Sequence, residues 1–230
     1  MATMTVDARP TLRVGVTGHR NISRDGANAA AVQDGVRTVL AYLWQTVADS
    51  TPAGSVPELV VVSPLAEGAD RLIAREAVAN GFPLHCPLPF PRDEYERDFA
   101  TEASRREFRD LLARAAFVRE LPGVRGTAAS EGAAYAAVGR VVVDESDVLL
   151  ALWDGAAARG DGGTAHVVED ALARAVPVVW LESTHPNTIR LLTATGAARR
   201  ADALSALGER IRRWVRAGRD EELRVNRAGQ

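Results

Sequence analysis

The segment Ser146–Leu181 limits the possible folds of this chain more than any other part of the sequence. Val148–Trp153 is an unbroken apolar run, which is typical of a short strand that is buried on both faces. A glycine-rich loop follows and ends in Gly162-Gly163-Thr164. Apolar residues then recur at helical spacing over Val167–Ala175, and a second apolar run covers Pro177–Leu181. The pattern predicts a β-loop-α-β unit.

The glycine turn of this unit is a candidate anion site. A β-α-β unit closes as a right-handed crossover between parallel strands, which places Gly162, Gly163 and Thr164 at the carboxyl edge of the sheet. The first amides of a helix are unpaired and the helix dipole is positive there, so a phosphate is well received. Alternatively, the two glycines only form a tight turn and Thr164 only caps the helix.

The same alternation of strands and helices runs along nearly the whole chain. Before the central unit, strands are predicted at Leu12–Thr17, Leu59–Val62, Pro83–Leu88 and Phe117–Leu121. Helices are predicted at Ala30–Ala48, from the turn Ser63–Asp70 to Asn80, at Arg92–Ala116, at Glu131–Asp144 and at Leu204–Val215. We therefore expect an α/β fold with a doubly wound, mostly parallel, Rossmann-like sheet and helices on both faces. The single domain is predicted over residues 11–218, with a flexible N-terminus at 1–10 and a polar tail at 219–230.

Composition excludes several classes of protein. With 230 residues, 47% hydrophobic and 25% charged, the chain has the composition of an ordinary globular domain. Its apolar runs are too short to span a bilayer and its N-terminus has no signal-peptide pattern, so we expect a cytoplasmic protein without a membrane partner. The single cysteine, Cys86, has no second cysteine to pair with, and no two histidines show metal-ligand spacing. No metal and no cofactor are expected.

The net charge and the aromatic content of the chain indicate which partners it can bind. The net charge is −2 and only 5% of residues are aromatic. Binding of nucleic acid normally requires a basic face and stacking aromatics, so nucleic acid is expected to be an unlikely partner. The basic residues are all arginine, which excludes chemistry that depends on a lysine.

Four motifs lie in the loops that follow predicted strands. They are Gly15–Arg20, Glu67–Arg71, Leu88–Phe99, and Trp153–Gly155 together with Gly162–Ala165. In this order they resemble the SLOG superfamily, Rossmann-like domains related to the DNA-processing Smf (DprA) proteins and to the LOG phosphoribohydrolases. The resemblance covers residues 12–181. It implies a nucleotide-binding domain whose ligand is a nucleotide or a nucleotide-derived signal, with a homodimer as one assembly.

The resemblance also implies which residues bind the ligand: Gly18, His19, Arg20, Glu67, Gly68, Asp70, Asp154, Gly162, Gly163 and Thr164. Arg20 would bind a phosphate with two nitrogens, and His19 would donate to a ribose or phosphate oxygen. Gly68 would let its loop approach the ligand, while Glu67 or Asp70 would accept from ribose hydroxyls. In the alternative interpretation Arg20 pairs with a surface carboxylate, His19 caps a helix, and Asp154 is an ordinary turn residue.

Two functions remain open at this stage besides single-stranded DNA binding of the kind seen in the Smf relatives, which ranks last because the net charge is slightly negative and only 5% of residues are aromatic. One is a binding module, in which ligand binding signals to a partner. The other is a LOG-like phosphoribohydrolase that cleaves the N-glycosidic bond of a nucleoside monophosphate, with Glu67, Asp154 and Glu169 as candidate catalytic residues. The LOG pattern has a second Gly-Thr step that this sequence lacks, and Glu169 falls further along the helix, pointing away from its N-terminus. Whether the protein is an enzyme is left open.

Overall fold

The computed structural model describes residues 10–22, 26–156, 163–185, 188–194, 196–199, 202, 204–213 and 215. Residues 1–9 of the predicted flexible N-terminus (1–10), the predicted tail 219–230 and Gly162 lie outside these residues.

Strands and helices alternate over the described residues. The strands are β1 (Thr11–Gly18), β2 (Glu58–Val62), β3 (Leu84–Leu88), β4 (Phe117–Glu120), β5 (Val148–Trp153), β6 (Val178–Glu182), β7 (Ile189–Thr193) and β8 (Gly196–Arg199). The helices are α1 (Gly26–Ser50), α2 (Ala69–Ala79), α3 (Arg92–Tyr95), α4 (Glu102–Leu112), α5 (Ala128–Asp144), α6 (Thr164–Ala173) and α7 (204–213), with a 3₁₀ turn at Glu96–Asp98. None of the described helices is both long enough and apolar enough to cross a membrane.

All eight strands belong to one sheet, in the order β4-β3-β2-β1-β5-β6-β7-β8. The first six strands in this order pair in parallel, while β7 and β8 add an antiparallel edge. The strand order reverses direction at β1, which pairs with β2 on one side and with β5 on the other. In a doubly wound sheet, ligands bind beyond the carboxyl ends of the strands at this reversal. The predicted fold class is confirmed, and its topology defines where to look for a site.

Two apolar cores cover the two faces of the sheet. The larger core packs α1, α2, α4 and α7 against one face, with Val14, Val36 and Ile73 fully buried. The smaller core packs α5 and α6 against the other face around Leu149 and Val168. Parallel strands that are covered on both sides read as continuous apolar runs, which is why the central strands could be predicted from sequence.

The predicted helix Arg92–Ala116 is interrupted. The chain leaves the helical conformation at Phe99, which has φ −98° and ψ 109°, and Thr101 then caps α4 by accepting a 3.1 Å hydrogen bond from the backbone of Ser104. The break buries Phe99, whose ring lies 5.1 Å from that of Phe108 and 5.2 Å from that of Tyr95. Burial of an aromatic side chain overrides the local helical preference here.

The hairpin formed by β7 and β8 was not predicted from the sequence. Its strands pair antiparallel from Arg190 with Arg199 to Thr193 with Gly196, and Gly196 has φ +147°. The hairpin extends the sheet beyond β6, on the side away from β2 and β3.

Candidate functional site

A pocket of about 560 Å³ opens at the carboxyl ends of β1 and β5, where the strand order reverses. This volume lies within the usual range of about 300–1,000 Å³ for small-ligand sites. The sequence-predicted residues that line it are Gly18, His19, Arg20, Asp70, Asp154, Gly163 and Thr164. These residues come from the three connections that follow β1, β2 and β5, which therefore converge on one cavity.

The backbone after β1 is held in place from both sides. The His19 amide donates to the Leu152 carbonyl at 3.1 Å, and the His19 carbonyl accepts from the Ala69 amide at 3.0 Å. A Cβ on Gly18 would lie 2.4 Å from the Leu152 oxygen, so only glycine fits at this point. The loop is thereby fixed against β5 and the start of α2, and the His19 and Arg20 side chains extend from it to the pocket.

His19 and Asp154 form a pair across the end of the sheet. The Nε2 atom of His19 lies 2.9 Å from Oδ1 of Asp154, and both side chains are about one-third exposed at 33% and 34%. The same Oδ1 accepts a 2.8 Å hydrogen bond from the Ala156 amide. The hydrogen bond from the Ala156 amide, together with the contact of the His19 side chain, lowers the pKa of Asp154 below its usual value. Asp154 is therefore an ionised turn residue that also faces the pocket.

Arg20 is held by an acidic and aromatic cluster. Its Nη2 lies 3.8 Å from Oδ2 of Asp98, and its guanidinium carbon lies 5.2 Å from the ring centre of Tyr135. Asp98 is only 8% exposed; it accepts a hydrogen bond from the Tyr135 hydroxyl and a 2.7 Å hydrogen bond from Nη2 of Arg125. Because 46% of the Arg20 side chain remains exposed, its guanidinium is positioned yet accessible to a ligand.

Asp70 is the buried acid of the pocket. Its side chain is 5% exposed, and Oδ2 accepts a 3.3 Å hydrogen bond from the Ala66 amide. Burial raises the pKa of Asp70 to about 7, against the opposing influence of that amide and of the Arg20 and Arg71 guanidinium groups. A carboxyl group in this state can either donate or accept a hydrogen bond near neutral pH.

Gly68 and Glu67, the other two predicted residues of the second motif, do not line the pocket. Gly68 has φ +82°, and a Cβ there would lie 2.2 Å from the His19 oxygen and 2.3 Å from the Arg20 oxygen. It permits close approach of the β1–α1 loop and does not line the pocket. Glu67 accepts a hydrogen bond from the Ser104 hydroxyl and faces a neighbouring surface depression instead.

The amino-terminal turn of α6 lies at the pocket. Gly163 precedes the helix with no side-chain cap, and Thr164 is its first residue. Both line the cavity together with Ala165, which places the positive end of the α6 dipole there. Glu169 lies on the exposed surface further along α6, facing a separate depression between α5 and α6.

The pocket also has lining residues that sequence reasoning missed. Thr17, the penultimate residue of β1, contributes a hydroxyl, and Trp153 ends β5 immediately before Asp154. Tyr135 and the apolar residues Val138 and Val142 come from α5, which lies on the smaller core face. Because Trp153 directly precedes Asp154, its place in the pocket could have been predicted from the sequence. Nothing local in the α5 sequence connects it to this pocket.

Among the described residues, no group of three or more histidine, cysteine, aspartate or glutamate side chains is arranged to hold a metal ion. The two acidic side chains that line the pocket contact His19 and backbone amides.

Comparisons of the fold identify similar solved structures. DprA from Streptococcus pneumoniae is 20% identical with a TM-score of 0.49, over 74% of this chain and 50% of that one. A structure of DprA from Helicobacter pylori, described as showing its single-stranded DNA binding mode, is 15% identical with a TM-score of 0.48, over 75% and 69% of the two chains. A protein named TM1055 is 15% identical with a TM-score of 0.43, over 74% of each chain. The chain thus spans half the length of the streptococcal protein.

Each of these solved structures is 20% identical to this chain or less, and the similarity concerns the fold alone. Neither the family models nor the curated proteins compared with the sequence give a match.

One expectation needs correction. The low net charge and aromatic content suggested that nucleic acid is an unlikely partner, but the Helicobacter pylori DprA structure concerns binding of single-stranded DNA. That expectation is wrong, because a charge summed over a whole chain does not report where its basic residues lie.

Proposed function

We propose that this protein binds a nucleotide or a nucleotide-derived phosphorylated ligand in the pocket at the ends of β1 and β5. The observation that carries the proposal is the convergence of Arg20 and the amino-terminal turn of α6 at Gly163 and Thr164 on one cavity. A guanidinium and a helix N-terminus are two independent anion-binding elements. Their presence at a topological switch point favours a phosphate over a neutral ligand.

The remaining polar groups suit the sugar of such a ligand. Thr17 and Asp70 are both nearly buried and both line the cavity, at 8% and 5% exposed. A hydroxyl and a carboxyl group can each exchange hydrogen bonds with ribose hydroxyls. The pair of His19 and Asp154 adds a further donor and acceptor at the rim. We infer a binding module whose ligand signals through the loops that it contacts.

Hydrolysis of the N-glycosidic bond is the second candidate function, and the position of Asp154 is what favours it. Of the three candidate catalytic residues, Asp154 lines the pocket, while Glu67 and Glu169 face other depressions. Its lowered pKa keeps the carboxylate ionised, as is needed to stabilise positive charge on the sugar as the bond to the base breaks.

One experiment tests both functions. The purified protein is incubated with nucleoside monophosphates, NAD and ADP-ribose, and both the melting temperature and released free base are followed. A ligand at one hundred times its Kd should stabilise the protein by about 2.7 kcal/mol, which is readily visible as a shift in melting temperature. The shift should be lost in Arg20→Ala and retained in the control Arg92→Ala, an exposed arginine that pairs with Glu120 outside the pocket.

The outcomes separate the functions. A shift without released base supports the binding module. Released base that disappears in Asp154→Ala supports the hydrolase. No shift and no base with any of these compounds would exclude both.

A further inference from the structure

Asp98 contacts two arginines, and only one of them lies in the pocket. Its Oδ1 accepts the 2.7 Å hydrogen bond from Nη2 of Arg125, while its Oδ2 lies 3.8 Å from Nη2 of Arg20. Among the described residues, these two guanidinium groups are the only cations that pair with this carboxylate. Arg20 lines the pocket, whereas Arg125 comes from the loop between β4 and α5 and lies outside it. The carboxylate therefore has its close ion pair outside the pocket and a long contact inside it.

Both oxygens of Asp98 are hydrogen-bonded to groups other than Arg20. Arg125 donates to Oδ1, and the Tyr135 hydroxyl donates to Oδ2. Because the carboxylate is satisfied in this way, Arg20 stays at 3.8 Å, beyond hydrogen-bond distance, and 46% of its side chain remains exposed. Asp98 thus limits where the Arg20 guanidinium can lie without occupying its donors.

The Arg125 guanidinium is held in place by the segment that follows β3. Its carbon atom lies 4.0 Å from the ring centre of the buried Phe90, and Nη2 also donates a 2.6 Å hydrogen bond to the Glu94 carbonyl. The Arg125 side chain is 21% exposed, so salt screens its contact with Asp98 less than it screens a surface pair. Arg125 can therefore compensate the Asp98 charge without first having to be ordered.

The charge of Asp98 would oppose a phosphate at Arg20 if it were not compensated. A carboxylate that is only 8% exposed needs a cation or strong donors beside it, because water cannot solvate it fully. Without Arg125 the remaining cation is Arg20, whose donors would then be occupied by the carboxylate. A phosphate would have to displace this carboxylate and would also be repelled by it. Both effects lower the affinity of the anion site.

We propose that Arg125 is a positioning residue for the phosphate of a nucleotide ligand, because it compensates Asp98 and so leaves the Arg20 guanidinium available to that phosphate. This inference rests on the proposed function and extends it to a residue outside the pocket. Arg125 acts through Asp98 and Arg20 and does not itself contact the ligand. The affinity of the anion site then depends on the charge balance between Asp98 and Arg125 as well as on Arg20.

Calorimetric titration with AMP, GMP, CMP, UMP and ADP-ribose tests this role. Arg125→Met keeps an apolar side chain over Phe90 but removes the charge, and it should weaken binding roughly tenfold or more, because an uncompensated charge beside the site opposes the anion. The double variant Arg125→Met/Asp98→Asn should recover most of the affinity, since the opposing charge is also removed. Arg92→Met, which removes one positive charge outside the pocket, is the matched control and should bind like the unmodified protein.

The double variant separates this role from a purely structural one. A structural role predicts that the double variant, which lacks more contacts, binds no better than Arg125→Met, and that result would overturn the assignment. Unchanged affinity in Arg125→Met would also overturn it, while leaving the proposed function intact. Failure of every compound to bind to the unmodified protein would overturn the proposed function and this inference together.

Chemical modification measures the availability of Arg20 without any ligand. Phenylglyoxal reacts with accessible guanidinium groups and more slowly with those in close ion pairs, and mass spectrometry reports the extent of reaction at Arg20. The rate at Arg20 should fall several-fold in Arg125→Met and recover in the double variant. Equal rates in all three proteins would show that Arg125 does not control the pairing of Arg20 with Asp98 and would overturn the assignment.

Discussion

His19 Nε2 lies 2.9 Å from Asp154 Oδ1, which joins the first residue after β1 to the first residue after β5 across the rim of the pocket. Asp154 also accepts from the Ala156 amide at 2.8 Å, so one carboxylate fixes both a side chain and a turn. Both side chains are about one-third exposed, so this contact contributes to the shape of the rim more than to stability.

Asp154→Ala should therefore reduce ligand affinity more than stability. We expect several-fold weaker nucleotide binding with a loss of unfolding free energy of about 1 kcal/mol or less, since exposed ion pairs contribute little. Asp154→Asn should be milder because the amide oxygen can still accept from Ala156 and His19. Calorimetric titration and urea denaturation of both variants measure the two effects. A large loss of stability without a change in Kd would contradict this role.

Asp98 is the more important acid for stability. It is 8% exposed and accepts hydrogen bonds from Tyr135 and Arg125, besides its 3.8 Å approach to Arg20. Asp98→Ala should cost about 2–3 kcal/mol of unfolding free energy, because the Tyr135 hydroxyl and the Arg125 guanidinium both lose a charged hydrogen-bond acceptor. It should also weaken phosphate binding, since Arg20 loses its positioning contact.

Tyr135→Phe is the matched control for that experiment. It removes one hydroxyl but keeps the ring beneath Arg20, so it should cost only about 1 kcal/mol. Both free energies are measured by urea denaturation. If the two variants lost similar amounts of stability, Asp98 would not be the centre of this cluster.

The main elements of the fold could be predicted because central parallel strands are buried on both faces and therefore read as apolar runs. The segments Val148–Trp153 and Leu59–Val62 illustrate this, as both strands lie where the pattern placed them. The β7–β8 hairpin could not be predicted, because its pairing depends on an exposed edge beside β6 that exists only once the sheet has formed. The break at Phe99 likewise depends on packing against the rings of Tyr95 and Phe108, which forms only in the folded protein.

The site was only partly predictable, for a related reason. Loops that follow parallel strands meet at one edge, so His19, Arg20 and Asp154 could be placed together from topology. The contribution of α5 to the pocket could not be predicted, because Val138 reaches the pocket only through packing of that helix on the sheet. Gly68 illustrates a third case, in which a glycine expected to approach a ligand instead accommodates a neighbouring loop.

Gly68→Ala should distort the loop that presents His19 and Arg20. A Cβ at Gly68 would lie 2.2 Å from the backbone oxygen of His19, which cannot move aside as a flexible side chain would. We expect a loss of about 2–4 kcal/mol from overpacking together with left-handed backbone strain, as well as weaker ligand binding. The measurement is urea denaturation followed by nucleotide titration.

Gly54→Ala separates the effect of backbone strain from the effect of the overlap with the His19 oxygen. Gly54 has a similar φ of +93°, but a Cβ there meets no atom within 4 Å. It should cost only about 1–2 kcal/mol, the backbone strain alone, with ligand binding unchanged. Equal losses in the two variants would show that the contact with His19 is unimportant.

Asp70 should make both stability and ligand binding depend on pH. Burial raises its pKa from 3.8 to about 7 in the folded protein, so the folded state binds the proton more tightly than the unfolded state. The stability that protonated Asp70 contributes is fully present below about pH 4 and is lost as the pH rises through about 7. Asp70→Asn cannot ionise, so the unmodified protein should lose stability relative to this variant over that interval.

Urea denaturation of the two proteins between about pH 5 and 8 measures this difference, and the comparison cancels the titration of all other groups. The affinity for phosphate should likewise decrease as the pH rises. An ionised Asp70 in the pocket repels an anion, so the affinity of the unmodified protein should fall relative to Asp70→Asn as the pH passes about 7. A difference between the two proteins that stayed constant across this interval would show that Asp70 does not titrate near neutrality.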